Sequence, residues 1–320
     1  STPVDNVSFL FEISDLAGNK LSGISNTSDN SSVRVDRSKP VISGITLVSS
    51  NDNGSWAKSG DNLTLDFTTS EVVQRPSVML AGSNLHADNT SHSGKQWRLV
   101  YPVQSGDNGT VDLDFSVKDL AGNVSDNVTQ DNASLITIDT QKPVLDNVSF
   151  VSSNTFNPSF AKAGDNLTLR FSTVSGESIL EPTILINHQP VAVNLSGGFW
   201  EAVYPVTLSD HGTADYLIAF SDFAGNAGDN VTGPSLAGQI TLDNSEPSLT
   251  LVQMSSDNDN NSYLAKSGDN ISLIFESSEI LENQTTSVSI SGIAASLISE
   301  NGTHWEFMRQ MNSLMVSSPR

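Results

Sequence analysis

Lys58-Ser-Gly-Asp-Asn-Leu-Thr-Leu-Asp-Phe67 is a ten-residue stretch that occurs in three versions along this chain. The second version is Lys162-Ala-Gly-Asp-Asn-Leu-Thr-Leu-Arg-Phe171 and the third is Lys266-Ser-Gly-Asp-Asn-Ile-Ser-Leu-Ile-Phe275, so the spacing is 104 residues both times. Gly-Asp-Asn favours a turn, because glycine accepts positive φ and Asp and Asn side chains bond to nearby backbone. The apolar residues that follow alternate, as in a half-buried β-strand. The repeat therefore predicts an array of β domains.

The alternation also predicts which residues face the core. We expect Leu63, Leu65 and Phe67 to point inward and the residues between them, together with Asn62, to point outward. Each period holds about seven short apolar runs separated by turn residues, which is typical of an immunoglobulin-like sandwich. Helical periodicity is weak throughout, so we predict an all-β fold of tandem immunoglobulin-like β-sandwich domains with a split terminal domain.

The domain boundaries follow from the repeat and from linkers of the form Asp-x-x-x-Pro, in which proline resists a central strand. The two outer pieces are read as halves of an immunoglobulin-like domain, because an Asp-x-Ala-Gly-Asn turn occurs in the first piece and is missing from the last. The C-terminal half, two whole domains and the N-terminal half are predicted, in chain order, at residues 1–38, 41–140, 144–244 and 247–320.

The two halves complement each other in length and in motif. Residues 1–19 match residues 208–226 in length, and both stretches end on the same type of turn. Since the half domain stops just before this point of the repeat, Asn312 of one copy would join Ser1 of the next almost in register. We therefore expect a head-to-tail homopolymer in which residues 1–38 complete residues 247–312 of another copy. The expected interface residues are Val7, Phe9, Phe11, Ile13, Leu273, Phe275, Val288, Ile290 and Trp305.

A second interpretation of the half domains stays open. A window of about three periods cut from a longer array also has a half domain at each end, although residues 313–320 do not continue the repeat. The chain would then be a stalk segment of a larger surface adhesin. A third possibility is an accessory module that binds polysaccharide.

Composition narrows the partners. The net charge is −21, which disfavours binding to nucleic acid or to an anionic membrane. Cysteine is absent, which excludes disulfides and thiolate metal sites. The sequence contains no stretch of 18 apolar residues, so we expect no insertion into a membrane. No nucleophile elbow, phosphate-binding loop or dinucleotide fingerprint is present, and we expect no enzymatic activity.

Asn-x-Ser/Thr sequons are more than twice as frequent as chance predicts, and they indicate an exposed, secreted glycoprotein with N-linked glycans. The alternative is that Asn, Ser and Thr are simply common in β-turns. The candidate glycosylation sites are Asn6, Asn26, Asn30, Asn53, Asn62, Asn89, Asn108, Asn123, Asn127, Asn132, Asn147, Asn166, Asn194, Asn230, Asn260, Asn270, Asn283 and Asn301.

Calcium is the one metal that the sequence suggests. Asp36, Asp139 and Asp243 hold equivalent linker positions, and another Asp opens each Asp-x-Ala-Gly-Asn turn. Oxygen-rich clusters at domain junctions suit a hard cation that takes six to eight oxygen ligands. Asp also closes turns without any metal.

The Asp-x-x-x-Pro linkers, the Gly-Asp-Asn-Leu-Thr-Leu strand and the Asp-Leu-Ala-Gly-Asn turn together resemble bacterial immunoglobulin-like repeats of large surface and adhesin proteins. The resemblance covers nearly the whole chain. It implies an extracellular stalk or fibre, sometimes stiffened by Ca²⁺ between domains. The family's carboxylate ligands would correspond to Asp36, Asp139 and Asp243. The split terminal domains and the dense sequons depart from the family's usual pattern.

Overall fold

A computed structural model describes residues 5–90, 93–129, 135–234, 238–283 and 285–312. The chain divides into two compact units, Ser1–Leu242 and Asp243–Arg320. The described residues form β-strands and loops, with a single-turn 3-10 helix at Val174–Gly176. The predicted all-β fold is confirmed. Within this part of the chain, no helix is long and apolar enough to cross a membrane.

The first unit contains an N-terminal segment (residues 5–38) and two sandwiches. The strands of the segment are Asp5–Asn6, Phe11–Ser14, Lys20–Ile24 and Arg34–Val35. The strands of the first sandwich are Ile42–Ser49, Trp56–Ala57, Asn62–Thr69, Ser77–Leu80, Ser83–His86, Asp88–Asn89, Gln96–Pro102, Gly109–Thr110, Leu113–Phe115, Val128–Thr129 and Thr137–Ile138. Those of the second are Leu145–Ser152, Phe160–Ala161, Asn166–Thr173, Thr183–Ile186, Gln189–Val191, Val193–Ser196, Phe199–Pro205, Gly212–Thr213, Tyr216–Ala219, Val231–Gly233 and Thr241–Leu242.

Both sandwiches have the same sheet topology. One four-stranded sheet is built around the repeated strand, Asn62–Thr69 in the first sandwich. In the opposing four-stranded sheet, Ser77–Leu80 pairs antiparallel with Leu113–Phe115. That pairing joins the front half of the sandwich, which ends with the tryptophan strand Gln96–Pro102, to the back half, which carries the Asp-x-Ala-Gly-Asn turn. A small third sheet contains a parallel pairing of Trp56–Ala57 with Thr137–Ile138.

The repeated strand buries the residues that the alternation predicts. Leu63, Leu65 and Phe67 are 0%, 0% and 1% exposed, whereas Asn62 is exposed and Thr64 is half-buried. The second copy of the strand is buried in the same way. Each sandwich has its own hydrophobic core between its two main sheets, and the inward-facing residues of both sheets form it. The inward-facing prediction is therefore confirmed.

The second unit is a half-sandwich. It has one four-stranded sheet and one two-stranded hairpin, and its described residues contain no counterpart of the back half. Its strands are Leu249–Ser256, Asn270–Ser277, Ser289–Ile290, Ile293–Ala294, Ser296–Asn301 and His304–Gln310.

The half-sandwich already buries several of the predicted interface residues. Trp305 is fully buried and Phe275 is 5% exposed, because the stacked rings of Phe275, Trp305 and Phe307 form a small core within the unit. Ile290 is 4% exposed. Leu273 is only half-buried, whereas its counterpart Leu169 is 0% exposed.

The N-terminal segment also differs from its predicted form. The alternation of apolar residues over residues 7–13 predicts a single strand, but the structure forms Asp5–Asn6 and Phe11–Ser14 and leaves residues 7–10 outside any strand. The equivalent residues in the first sandwich start the strand Leu113–Phe115, which is held by Ser77–Leu80. The segment has no such neighbour, so its backbone lacks the ladder that would extend the strand.

Leu169→Ala should destabilise the second sandwich by about 2–5 kcal/mol, because a fully buried leucine leaves a cavity. Leu273→Ala should cost the monomer clearly less, because Leu273 has less buried area to lose. Hydrogen exchange along Asn166–Thr173 and Asn270–Ser277 measures both losses. Equal losses of protection would contradict an open half-sandwich.

Candidate functional site

The Asp-x-Ala-Gly-Asn turn is a compact hydrogen-bonded unit. One oxygen of Asp119 accepts bonds from the backbone N–H groups of Gly122 and Asn123, at 2.6 and 2.8 Å, and the other accepts one from Asn123 Nδ2 at 2.8 Å. Gly122 has φ +100°, which glycine adopts without strain. Asp222 and Asn226 repeat the arrangement at 2.9 and 2.8 Å.

The N-terminal segment carries the same turn. Asp15 accepts bonds from the backbone N–H groups of Ala17 and Asn19 and from Asn19 Nδ2, at 2.9, 2.8 and 2.7 Å. The bond from the Asn19 side chain is the main reason that the pKa of Asp15 lies below its usual value. The turn is therefore preformed in the segment.

Each turn inside a whole sandwich also holds the preceding linker. Asn123 Nδ2 donates to the carbonyl oxygen of Asp36 at 3.2 Å, and Asn226 Nδ2 donates to that of Asp139 at 2.9 Å. The linker Asp is thereby placed beside the turn Asp, although 83 residues separate Asp36 from Asp119 in the sequence.

Two groups of three carboxylates form at these points. Their members come from the linker, from the loop after the repeated strand and from the turn, and the ligand oxygens of each group lie within 4.8 Å of one another. The turn carboxylates are nearly inaccessible, with Asp119 1% and Asp222 2% exposed. The two groups are Asp36, Glu71 and Asp119, and Asp139, Glu177 and Asp222.

The loop glutamates were missed by the sequence analysis. Glu71 and Glu279 each follow the phenylalanine of the repeated strand by four residues, which is a detectable signal. Glu177 follows its phenylalanine by six, because the 3-10 turn at Val174–Gly176 inserts two residues. Thr69 Oγ1 donates to the Glu71 carbonyl, and Thr173 Oγ1 to that of Glu177, at 2.8 and 2.5 Å, so the two glutamates are structurally equivalent.

The carboxylates repel one another. Burial raises the pKa of the Glu71 carboxyl above its usual value, and Asp36 and Asp119 raise it further. The pKa of Glu177 is raised in the same way, by burial and by the two Asp residues of its group. A carboxyl whose pKa rises on folding favours the folded state below its unfolded pKa, and this contribution is lost as pH rises through the folded pKa. At neutral pH each group therefore favours binding of a cation.

The donor set fits calcium. Ca²⁺ binds oxygen at about 2.3–2.6 Å, so two oxygens on one ion lie at most about 5 Å apart, as these do. Three carboxylates would supply part of the coordination shell and water the rest. Of the predicted ligands, Asp36 and Asp139 each belong to such a group.

The third predicted ligand has an incomplete surrounding. Glu279 lies near Asp243 at the start of the half-sandwich, and burial together with the negative charge of Asp243 raises the pKa of Glu279. Asp243 belongs to no group of three among the described residues. The missing member corresponds to the turn Asp, which the half-sandwich does not contain.

The interior residues of the N-terminal segment are exposed. Val7, Phe11 and Ile13 are 53%, 55% and 55% exposed, and Phe9 is half-buried. The residues at the same positions before the turn of the first sandwich are at most 6% exposed: Val111, Leu113, Phe115 and Val117.

The half-sandwich is open at the matching places. Ala57 and Ala161, which pair with the back half of their own sandwiches, are 0% and 1% exposed. The equivalent Ala265 is exposed, and the neighbouring Leu264 is 64% exposed. Val288, another predicted interface residue, is half-buried.

The tryptophans offer no free platform for a sugar ring. Trp97 and Trp305 are buried, and Trp200 is half-buried against the second core. Trp56 stacks on Phe223, with ring centroids 6.4 Å apart and planes at 20°. The tryptophans therefore give little support to polysaccharide binding.

Most sequon asparagines lie on the surface. Asn62 and Asn166 are exposed, whereas Asn270 is half-buried and its Nδ2 donates to Asp257 at 2.7 Å. Asn123 is half-buried, and its Nδ2 is engaged in holding the turn and the linker. The other exposed members are Asn6, Asn26, Asn30, Asn53, Asn108, Asn127, Asn147, Asn194, Asn230, Asn260, Asn283 and Asn301.

Two sequons need separate mention. Asn89 lies in the short strand Asp88–Asn89. Asn132 lies outside the described residues.

Comparison with known proteins adds only distant matches. No family model and no curated protein matches the sequence. The fibronectin(III)-like modules of CbhA from Clostridium thermocellum are 11% identical over 62% of this chain and 92% of theirs, with a TM-score of 0.32. A tandem from titin is 10% identical over 80% and 85%, with a TM-score of 0.27.

A third solved structure similar to this chain is SGBP-B from the Bacteroides ovatus mixed-linkage glucan utilization locus, in complex with a mixed-linkage heptasaccharide. It is 14% identical over 87% of this chain and 62% of its own, with a TM-score of 0.23. At these identities and scores, the likenesses carry no argument about function.

Calcium should raise the melting temperature of the protein, because it neutralises the repelling carboxylates. With a dissociation constant on the order of 10⁻⁴ M and about 10 mM Ca²⁺, each site should gain about 2.7 kcal/mol. Replacing Glu71 and Glu177 by Gln should stabilise the calcium-free protein and reduce the calcium-induced shift in thermal unfolding. Glu181→Gln, at an exposed glutamate, is the matched control. If calcium raised the melting temperature equally in the wild type, in the variant with Gln at both positions and in Glu181→Gln, the two calcium sites would be refuted.

Glycopeptide mass spectrometry of protein from its native source should find glycans on Asn62 and Asn166 and none on Asn123. The first two are exposed, whereas a glycan on Asn123 would remove one of the two hydrogen bonds of its Nδ2. An unmodified protein would show that the sequons are accidents of composition, and a glycan on Asn123 would contradict its structural role.

Proposed function

We propose that this chain is a non-enzymatic structural subunit of an extracellular filament, in which residues 1–38 of one copy complete residues 247–312 of the next. One observation carries the proposal. The four strands of the N-terminal segment follow the same order along the chain as the four back-half strands that the half-sandwich lacks. The internal register agrees as well: Asp5 pairs with Val35, as Gly109 pairs with Ile138.

The two whole sandwiches supply the register of the intermolecular pairing. Leu80 lies opposite Leu113 in the first sandwich, and Ile186 lies opposite Tyr216 in the second. The equivalent positions are Ile290 in the half-sandwich and Phe9 in the segment. We therefore place Phe9 of a second copy opposite Ile290, as a strand added to the edge of the hairpin.

Burial of apolar surface supplies the driving force. Phe11 is 55% exposed in the segment, whereas its counterparts Phe115 and Ile218 are 3% and 0% exposed in whole sandwiches. Several hundred Å² of apolar surface on each side, at roughly 25 cal/mol per Å², corresponds to a gain on the order of 10 kcal/mol. The cost of fixing two molecules against each other reduces this gain. Phe275 and Trp305 add little to this gain, because they are already buried within the half-sandwich.

The contact uses different surfaces on the two copies. In such a heterologous contact, each added copy presents a free surface to the next copy. Unless the rotation between successive copies closes a ring, the assembly extends into a filament. Calcium fits the same scheme, because Asp15 of the added segment would join Asp243 and Glu279 as the third carboxylate. Glycans on the exposed asparagines would cover the surface and keep filaments from bundling.

Two other functions remain as alternatives. A stalk segment of a larger surface adhesin is favoured by the resemblance to bacterial immunoglobulin-like surface repeats, and a longer parent gene would support it. A polysaccharide-binding accessory module would be retained on a glycan affinity column. Filaments of the purified chain in the electron microscope favour the structural subunit over both.

Phe11→Asp should abolish assembly of the purified full-length chain, because the carboxylate would have to enter the core of the completed sandwich. The monomer should be unaffected, since Phe11 is exposed there. Leu10→Asp is the matched control: Leu10 is exposed, and the first sandwich carries the exposed Asp114 at that position. Analytical ultracentrifugation and negative-stain microscopy measure assembly, with and without Ca²⁺.

The proposal predicts polymers for the wild type and for Leu10→Asp, and monomers for Phe11→Asp. A wild-type chain that stays monomeric at high concentration in both conditions would refute it. Equal assembly of all three proteins would show that association uses a different surface.

A further inference from the structure

In each whole sandwich, an ion pair connects the linker to the loop that follows the turn. Lys39 Nζ lies 3.2 Å from Asp126 Oδ1, and Lys142 Nζ lies 2.9 Å from Asp229 Oδ1. The lysine follows the linker Asp by three residues, and the aspartate follows the turn Asp by seven. The pair thus joins the entry of the front half to the back half of the same sandwich.

The half-sandwich carries the opposite charge at this place. Its linker has Glu246 three residues after Asp243, where the other two linkers have lysine. Glu246 is exposed, and no described residue forms an ion pair with it.

The N-terminal segment differs in charge from the back halves of the whole sandwiches, and the difference is complementary to that of the half-sandwich. Seven residues after Asp15 it has Ser22 in place of aspartate, and two residues before that it has Lys20. Lys20 pairs with Ser14 across the turn, as Val124 pairs with Lys118 in the first sandwich. Residues two apart on a strand share a face, so Lys20 lies on the side from which the aspartate has been lost.

Side-chain length accommodates the shift of position. Two residues along a strand span about 6.6 Å. Lys20 and Glu246 are both exposed, and the long aliphatic stem of lysine covers most of this distance. Lys20 is therefore able to reach forward along the strand towards Glu246.

We propose that Glu246 and Lys20 of a second copy form an ion pair that selects the correct partner for the half-sandwich. This inference rests on the proposed filament. Glu246 attracts Lys20 and repels the back halves of the whole sandwiches, which carry Asp126 or Asp229 at this place. Lys39 and Lys142 in turn repel Lys20, which disfavours entry of the segment into a whole sandwich. The reversed charges thus guard against exchange of halves between sandwiches.

Charge reversal in full-length chains tests the pair. Glu246→Lys and Lys20→Glu should each raise the protein concentration needed for assembly by about three- to tenfold at low salt, since each replaces attraction by repulsion. The double variant should return to within about twofold of the wild type. The effects should shrink in about 0.5 M NaCl, because salt screens exposed charges. Sedimentation of polymer across a concentration series measures each value.

Glu300→Lys is the matched control, because it makes the same charge change at another exposed glutamate of the half-sandwich. If the wild type assembles and both single variants behave like this control, the ion pair is refuted while the filament stands. Failure of the double variant to recover also refutes the pair. If the wild type does not assemble, the proposed function itself fails.

Discussion

The antiparallel pairing between the front half and the back half is the contact on which each sandwich depends. In the first sandwich it places Leu80 opposite Leu113, and in the second it places Ile186 opposite Tyr216. The pairing satisfies backbone groups that would otherwise sit at a bare sheet edge, and it brings the two apolar faces together. Where the chain lacks it, at the half-sandwich and at the N-terminal segment, the strands shorten and apolar side chains are exposed. Each of the two incomplete pieces therefore lacks the half of a sandwich that the other contains.

Electrostatics at the junctions adds a second constraint. Each Asp-x-Ala-Gly-Asn turn inside a whole sandwich uses its asparagine both to shape the turn and to hold the preceding linker, and this brings three carboxylates together. Their mutual repulsion makes the junction responsive to cations and to pH. A filament built from such junctions would couple its rigidity to calcium, and the Asp243 junction would couple assembly to it as well.

The surface carries both acidic residues and exposed sequon asparagines. In the proposed filament, the acidic residues would keep separate filaments apart by charge, and glycans on the asparagines would do the same by volume. The described tryptophans are buried, half-buried or stacked on another ring. These features favour a structural role over recognition of a sugar.

The period, the all-β class and the inward face of the repeated strand are predictable from the amino-acid sequence, because alternation and turn chemistry are local properties. The sequence also located the linker aspartates and the turns. It did not identify Glu71 and Glu177 as members of the carboxylate groups, since loop glutamates acquire a role only when a linker and a turn far away in the chain fold beside them.

Tertiary structure also decided which sequon is unsuitable for a glycan and how much of the half-sandwich is already covered. Asn123 reads as an ordinary sequon until its Nδ2 is seen to hold both the turn and Asp36. Phe275 and Trp305 are predicted interface residues, and only the folded structure shows that their rings already stack within the unit. Burial and hydrogen bonding depend on neighbours from distant parts of the chain, and only the folded structure specifies those neighbours.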